Sequence, residues 1–265
     1  MNDLFIGGGG YSGIIFIGCL EYIHENKLLD LKNFYGCSIG SLIGCLYISG
    51  IAPKNMLINF MKLDVADIVN YNFNNLFSEN HIIGNSLLDN LIGLLWEVND
   101  ENITLGEFYN MYKVNVNIYA TNVSKNKYTN LSNIDYPEVK LKDAIKASMT
   151  IPFVFKPVVI NGDTYIDGCC KNLYGSPPKD IYIKGYSLIL NSMSLSDNIS
   201  SKMLLSMLYK CKPRSTYIIE CNNQLDPSVY LNLDKLNDKV VIDMYKKGMY
   251  LTKETLKGDL PPSID

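Results

Sequence analysis

The feature that most constrains this chain is a run of four glycines, Gly7-Gly8-Gly9-Gly10, set between the apolar segment 4–6 and a helical pattern starting near Ser12. Successive glycines let backbone N–H groups turn toward one point with no Cβ in the way. Such a corner either serves as a cradle for negative charge or is a tight strand-to-helix turn without a ligand. A second glycine-bracketed turn, Gly36-Cys37-Ser38-Ile39-Gly40, lies between the short strand-like segment 33–37 and residues 39–49. In the latter, Ile39, Leu42, Ile43, Leu46 and Tyr47 repeat at helical spacing, while Gly40, Ser41, Gly44 and Cys45 make a small-residue face. A helix that is small and apolar all round is a buried one that its neighbours approach closely.

Further along, the pattern continues to alternate. Residues 12–28 carry Phe16, Ile17, Leu20 and Ile23 on one face, with Glu21 and Glu25 opposite. Residues 115–122 and 127–131 form a hairpin across 124–126, and Asn161-Gly162 is a strong tight-turn signal between 157–160 and 164–166. Residues 140–149 are helical up to Pro152. Strands at 186–190 and 217–220 flank a helix near 199–209, and a last helix spans 233–257 before a frayed tail at Pro261-Pro262. Strands alternating with helices imply an α/β layered fold. Residues 53–112 are less regular, with helical pieces at 54–61 and 86–97, and read as an insertion shaping the rim of the site. With 265 residues and 47% hydrophobic composition, the chain builds one sizeable core, so a single domain over 1–265 is expected.

The run Gly8 to Gly13 also satisfies G-x-G-x-x-G, so dinucleotide binding is a rival. That site needs an acidic residue at the end of the second strand, where this chain has Gly36-Cys37-Ser38; Asp30 lies before that strand. The serine reading does better. In G-x-S-x-G the flanking glycines leave room where strand and helix nearly touch, and Ser38 Oγ projects at a helix N-terminus whose dipole favours developing negative charge. The amides of the run Gly7 to Gly10 then supply fixed donors for an oxyanion. Neither histidine has the context of a base: His24 ends a helix beside Glu25, and His81 sits in a polar segment. Asp167, directly after a strand and before Gly168, is the better candidate, provided a water-poor site raises its pKa. Read alone, it is a turn aspartate bonding its own backbone.

The balance of 24 basic and 27 acidic residues has no basic stripe and argues against a nucleic-acid partner. The seven cysteines show no paired C-x-x-C spacing, so neither a zinc site nor any other metal site is expected; buried thiols in a reducing compartment are. The start Met-Asn-Asp lacks the basic flank of a signal peptide, and the apolar run 87–96 is interrupted by Asp89 and Asn90. An intracellular, cytoplasmic protein is expected. Heavy use of asparagine reads as coding bias.

Taken together, these segments resemble the patatin-like phospholipases, lipid acyl hydrolases that use a Ser–Asp dyad. The family's D-G-G-G-x-R-G segment aligns with Gly7 to Gly13 and its G-x-S-x-G with Gly36 to Gly40. Its A-S-x-x-I-P run aligns with Ala147-Ser148-Met149-Thr150-Ile151-Pro152, and its D-G-G/A segment with Asp167-Gly168-Cys169, followed by Asn172. The resemblance covers about residues 4 to 175. It implies Ser38 as nucleophile, Asp167 as general base, the Gly8–Gly10 amides as oxyanion hole, and Gly13, Gly36, Gly40 and Gly168 as motif glycines. It also implies a three-layer α/β/α fold around a mostly parallel sheet, an acyl-lipid substrate met by peripheral contact with membranes, and no cofactor. Gly7, Ser12 and Cys169 depart from the family's aspartate, arginine and small residue. The last two leave a catalytically weak or inactive lipid-binding relative as the alternative. The apolar stretch with Leu94, Leu95 and Trp96 fits core packing first and a lipid-facing rim or acyl channel second.

Overall fold

A computed structural model describes residues 1–62, 86–94, 98–191, 211–222 and 238–257. Strands β1 (Asp3–Ile6), β2 (Asn33–Cys37), β3 (Asn115–Asn122), β7 (Tyr182–Asn191) and β8 (Arg214–Asn222) pair in parallel in the order β3-β2-β1-β7-β8. Strands β4 (Lys127–Ser132), β5 (Val158–Ile160) and β6 (Asp163–Asp167) join antiparallel at the β3 end. Around this mixed, mostly parallel sheet lie α1 (Gly13–Glu25), α2 (Ile39–Ile48), α3 (Pro53–Lys62), α4 (Ser86–Gly93), α5 (Leu105–Tyr112), α6 (Leu141–Met149) and α7 (Asp238–Thr255). The α/β architecture is the one expected. The 192–210 segment, His81, Leu95, Trp96 and the proline tail fall outside the described residues.

Successive strand residues point to opposite faces, and both faces are apolar where the strands are central. Leu4, Ile6, Leu188 and Leu190 face the main core with α1 and α2, while Phe5, Ile183 and Ile189 pack with Tyr174 on the other side. The pieces of the 53–112 region that are described go to the main core: Met56, Leu57 and Phe60 of α3, Leu87, Leu88 and Ile92 of α4, with Leu94 packed against it. Helix α5 was not singled out from sequence, although its start carries a legible signal. Thr104 Oγ1 accepts from Glu107 N and Glu107 Oε2 accepts from Thr104 N, a reciprocal capping box.

One expectation needs correction. Glu25 is exposed, but Glu21 is buried, because α7 covers the face of α1 that the pattern assigned to solvent. Its carboxylate bonds the Tyr245 hydroxyl. Three asparagines link the strand starts. Asn33 Nδ2 donates to Asp3 Oδ1, Asn115 Nδ2 to Asn33 Oδ1 and Asn133 Nδ2 to Asn115 Oδ1, a side-chain chain across the strand starts opposite the site.

Helices α1 and α7 approach at backbone distance. A Cβ on Gly18 would lie 1.9 Å from the Tyr245 carbonyl oxygen, and one on Gly248 would lie 2.0 Å from that of Ile15. Gly18→Ala and Gly248→Ala must force the helices apart and are each expected to destabilise by about 1–3 kcal/mol. Urea unfolding checks this: a midpoint within error of the wild type would mean that the helix pair is not packed as described.

Candidate active site

The site is built by the register of β3. Strand β2 pairs with residues 115–119 of β3, β6 pairs with 120–122, and β4 runs along 117–122. Because β4 shares rungs with both, β2 and β6 must lie end to end on the other edge. Cys37 is opposite Tyr119, and Asp167 is opposite the next residue, Ala120. Ser38, one residue past the end of β2, therefore arrives beside Asp167. Its Oγ donates to Asp167 Oδ2 at 2.6 Å, the length of a hydroxyl bond to a charged acceptor.

Ser38 sits at φ 53°, ψ −135° as the residue preceding α2. A non-glycine residue there stores roughly 1–3 kcal/mol and persists only when its surroundings over-determine it. They do so at both ends of the residue. Ser38 N donates to Ser148 Oγ at 2.8 Å, and that hydroxyl donates onward to the Tyr119 carbonyl at 2.6 Å. The Ser38 carbonyl accepts from Ser41 N at 2.9 Å and Ser41 Oγ at 2.6 Å. The motif glycines are close-approach positions. A Cβ on Gly40 would stand 2.3 Å from the Ile6 carbonyl oxygen, and one on Gly36 would stand 2.7 Å from Ser41 Cα. On Gly13 it would press on Ile39 at 2.9 Å, and on Gly168 it would meet the Tyr119 carbonyl oxygen at 2.5 Å.

Asp167 is 3% exposed. Its N–H donates to the Thr150 carbonyl at 2.8 Å, its carbonyl accepts from Thr121 Oγ1 at 3.0 Å, and its Oδ1 accepts from Cys169 N at 2.8 Å. Burial pushes its pKa above the ordinary carboxylate range, against the opposing pull of the Ser38 and Cys169 hydrogen bonds. A carboxylate of raised basicity bonded to a hydroxyl can accept that hydroxyl's proton.

The glycine run borders the same spot. Gly8 lies so near Ser38 that a Cβ on it would stand 3.3 Å from the Ser38 Cβ. Gly7 N–H is used by the Leu188 carbonyl, whereas the amides of Gly8, Gly9 and Gly10 donate to no acceptor among the described residues. Gly9 backs onto the Leu190 side chain, and Gly10 is exposed at φ 51°. His24 is exposed, with Nδ1 3.3 Å from the Tyr47 hydroxyl at the far end of α1.

By sequence, Ser148 lies on a helix face and in the A-S-x-x-I-P run, with no role of its own. In the fold, the segment 148–150 holds the backbone of both Ser38 and Asp167, and its place in the Ala147–Pro152 run was the signal available. The cysteine arrangement was not legible at all. All seven are free thiols, and Cys37 Sγ and Cys169 Sγ, 132 residues apart in the chain, lie 3.8 Å from each other beside Asp167. An open pocket of about 450 Å³ lies nearby, lined by Tyr128, Lys171, Asn172, Ser176, Lys179 and Cys211 among others; neither Ser38 nor Asp167 lines it.

A strained serine turn, a buried aspartate and a glycine loop on this sheet define a class. The chain belongs to the patatin-like phospholipase family, whose model matches residues 4–173. It is 27% identical to the probable lipid hydrolase 463L of Invertebrate iridescent virus 6, an alignment spanning 93% of this chain and 86% of that protein. It is 22% identical to the uncharacterized protein R571 of Acanthamoeba polyphaga mimivirus over 63% of this chain and 58% of that one. Among solved structures, VipD from Legionella pneumophila shares the fold with a TM-score of 0.59 at 14% identity, over 97% of this chain and 66% of VipD. ExoU in the ExoU–SpcU complex from Pseudomonas aeruginosa does so with a TM-score of 0.51 at 15% identity, over 97% of this chain and 51% of that one.

The departures from the family pattern have local reasons. A side chain at Gly7 would press on the Tyr174 carbonyl oxygen, 2.8 Å from its Cβ. Ser12 is fully buried. Cys169 packs its sulfur where a Cβ of Gly8 would be, 2.3 Å away.

Ser148→Ala would leave the Ser38 N–H and the Tyr119 carbonyl unpaired in a buried site, a cost of about 1–3 kcal/mol for each group left unsatisfied. A lowered melting temperature is expected. Full stability would show that the serine turn needs no such anchor.

Proposed function

We propose that this protein is a lipid acyl hydrolase, a serine esterase cleaving fatty acyl esters of the phospholipase A type. The observation that carries the reading is the 2.6 Å bond from Ser38 Oγ to the buried Asp167 carboxylate, made at a strained turn beside glycine amides that donate to no acceptor among the described residues. Membership of the patatin-like phospholipase family and the name of the viral relative support the lipid substrate.

In the proposed reaction, Asp167 takes the proton of Ser38 as the oxygen attacks the ester carbonyl. The amides of Gly8, Gly9 and Gly10 receive the oxyanion, the kind of donor whose loss costs about 3–4 kcal/mol of transition-state stabilisation. The protonated Asp167 passes its proton to the departing alcohol, leaving the fatty acyl group on Ser38. Water, deprotonated by the same carboxylate, then releases the fatty acid. None of these steps requires a metal or an organic cofactor.

The raised pKa of Asp167 has two consequences of opposite sense. Turnover needs the ionised carboxylate, so the rate falls as pH drops through the raised value. The folded state holds this proton more tightly than the unfolded chain, so the group's contribution to stability is full below about pH 3.9 and is lost as pH rises through the folded value. Asp167→Asn is therefore expected to lower ester turnover more than about a hundredfold while leaving neutral-pH stability unchanged or higher. Ser38→Ala should lose turnover similarly and should abolish labelling by a fluorophosphonate probe. Retention of most activity by Asp167→Asn would refute the dyad. Absence of labelling in the folded wild type would favour the non-catalytic lipid-binding relative.

The approach to a lipid aggregate is assigned to the turn that follows the 148–150 anchor. Ile151 is 43% exposed, and Phe153 is 65% exposed at φ 65°. Two large apolar side chains held in water on the segment that positions Ser38 and Asp167 suit contact with a membrane surface. Phe153→Asp should reduce hydrolysis of vesicle lipid several-fold while sparing a short-chain soluble ester. Equal loss on both substrates would remove this assignment.

A further inference from the structure

Two thiols abut the Ser38–Asp167 pair, and the reaction proposed above has no use for them. Cys37 Sγ and Cys169 Sγ are 3.8 Å apart, and with an oxygen of the Asp167 carboxylate they form a triad of donor atoms all within 4.8 Å of one another. Two thiolates on one tetrahedral zinc, each about 2.3 Å from the metal, lie about 3.8 Å apart, the separation already present here. A disulfide, at about 2.05 Å, would require the sulfurs to close by well over an ångström.

The surroundings favour a cation over a passive thiol contact. The carboxylate is buried, and no positive side chain contributes to its environment among the described residues. Three glycines wall the sulfurs: a Cβ on Gly168 would stand 2.6 Å from Cys37 Sγ, one on Gly175 2.5 Å from the same sulfur, and one on Gly8 2.3 Å from Cys169 Sγ. The sulfurs thus occupy space that any larger residue at these positions would remove. The second close thiol pair of the chain, Cys19 and Cys221, also at 3.8 Å, is wholly buried between α1 and β8 and, among the described residues, has no carboxylate in such a triad.

We propose that Cys37, Cys169 and Asp167 form a site for a thiophilic divalent cation of the zinc class, and that its occupancy is incompatible with turnover. As the ion binds, each thiol releases its proton to solvent and bonds the metal through sulfur, and the ionised carboxylate supplies the oxygen ligand. Asp167 can then no longer accept the Ser38 proton, and Cys169, packed on Gly8, ties the ion to the glycine loop. The metal site follows from the donor geometry alone; its effect on turnover rests on the hydrolase reading above.

Cobalt and zinc titrations of the reduced full chain test both parts. Co²⁺ added to the wild type and to Ser38→Ala should give a thiolate-to-cobalt absorption band at one equivalent, displaced by Zn²⁺ and absent from the Cys37→Ala/Cys169→Ala double variant. In the wild type, micromolar Zn²⁺ should lower ester turnover at least about tenfold, with recovery on chelation, whereas turnover of the double variant should change less than about twofold. No band in the folded wild type, or a band that persists in the double variant and so belongs to other cysteines, would overturn the site. A band without inhibition would overturn its incompatibility with turnover. Should the protein hydrolyse no ester at all, the hydrolase reading fails while the Ser38→Ala spectrum still decides the metal site.

Discussion

The site depends on one constraint of backbone pairing: two strands share a single edge of β3. Strand β2 ends opposite Tyr119 and β6 ends opposite Ala120, so the chain leaving β2 and the chain leaving β6 meet at adjoining rungs. Register in a sheet is discrete, and a one-residue slip would turn every side chain of the slipped strand to the other face. Ser38 and Asp167 are therefore brought within 2.6 Å by ladder hydrogen bonds rather than by any attraction of their own. The 148–150 segment then pins both backbones, through Ser148 Oγ on one side and the Thr150 carbonyl on the other.

Such a placement is costly, and the costs are local. Ser38 occupies a backbone region that disfavours a side chain, and Asp167 is held away from water. Each destabilises the resting fold by an amount of the order of a kcal/mol or more. What offsets them is a large apolar core on one face of the sheet and the close α1–α7 packing behind it. Backbone strain and a buried carboxylate gathered at one point are what single this place out as the candidate site. The cysteines beside it share that environment without sharing its role, which is why they suggest a separate ligand.

Likeness to VipD and ExoU at 14% and 15% identity shows the fold alone, and this chain matches 66% and 51% of those proteins. The family assignment rests instead on the match over residues 4–173, the span that contains every residue placed at the site. Within it three positions depart from the family's pattern. Gly7 leaves room for the Tyr174 carbonyl, Ser12 is buried, and Cys169 fills space against Gly8.

Much of this molecule was legible in the order of its residues. Local rules suffice for a glycine run after a strand, for G-x-S-x-G before a small-residue helix and for Asn161-Gly162 at a hairpin, because each depends on backbone conformations that only a few residue types accept. Those rules single out Ser38 and the glycines as candidates, and they place β2, α2, β3 and the β5–β6 hairpin within a residue or two of where they fold. The rest depends on partners distant in sequence. The pattern of α1 assigned Glu21 to solvent because it carries no information about α7, which covers it. The hydroxyl of Ser148 looked like one more position on a helix, and its bond to Ser38 N exists only once β3 sets the two segments side by side. The meeting of Cys37 with Cys169 had no signal in spacing, since 132 intervening residues set nothing about distance. Local conformation is encoded by neighbouring residues, whereas contact between remote side chains is decided by strand register and by what packs against what.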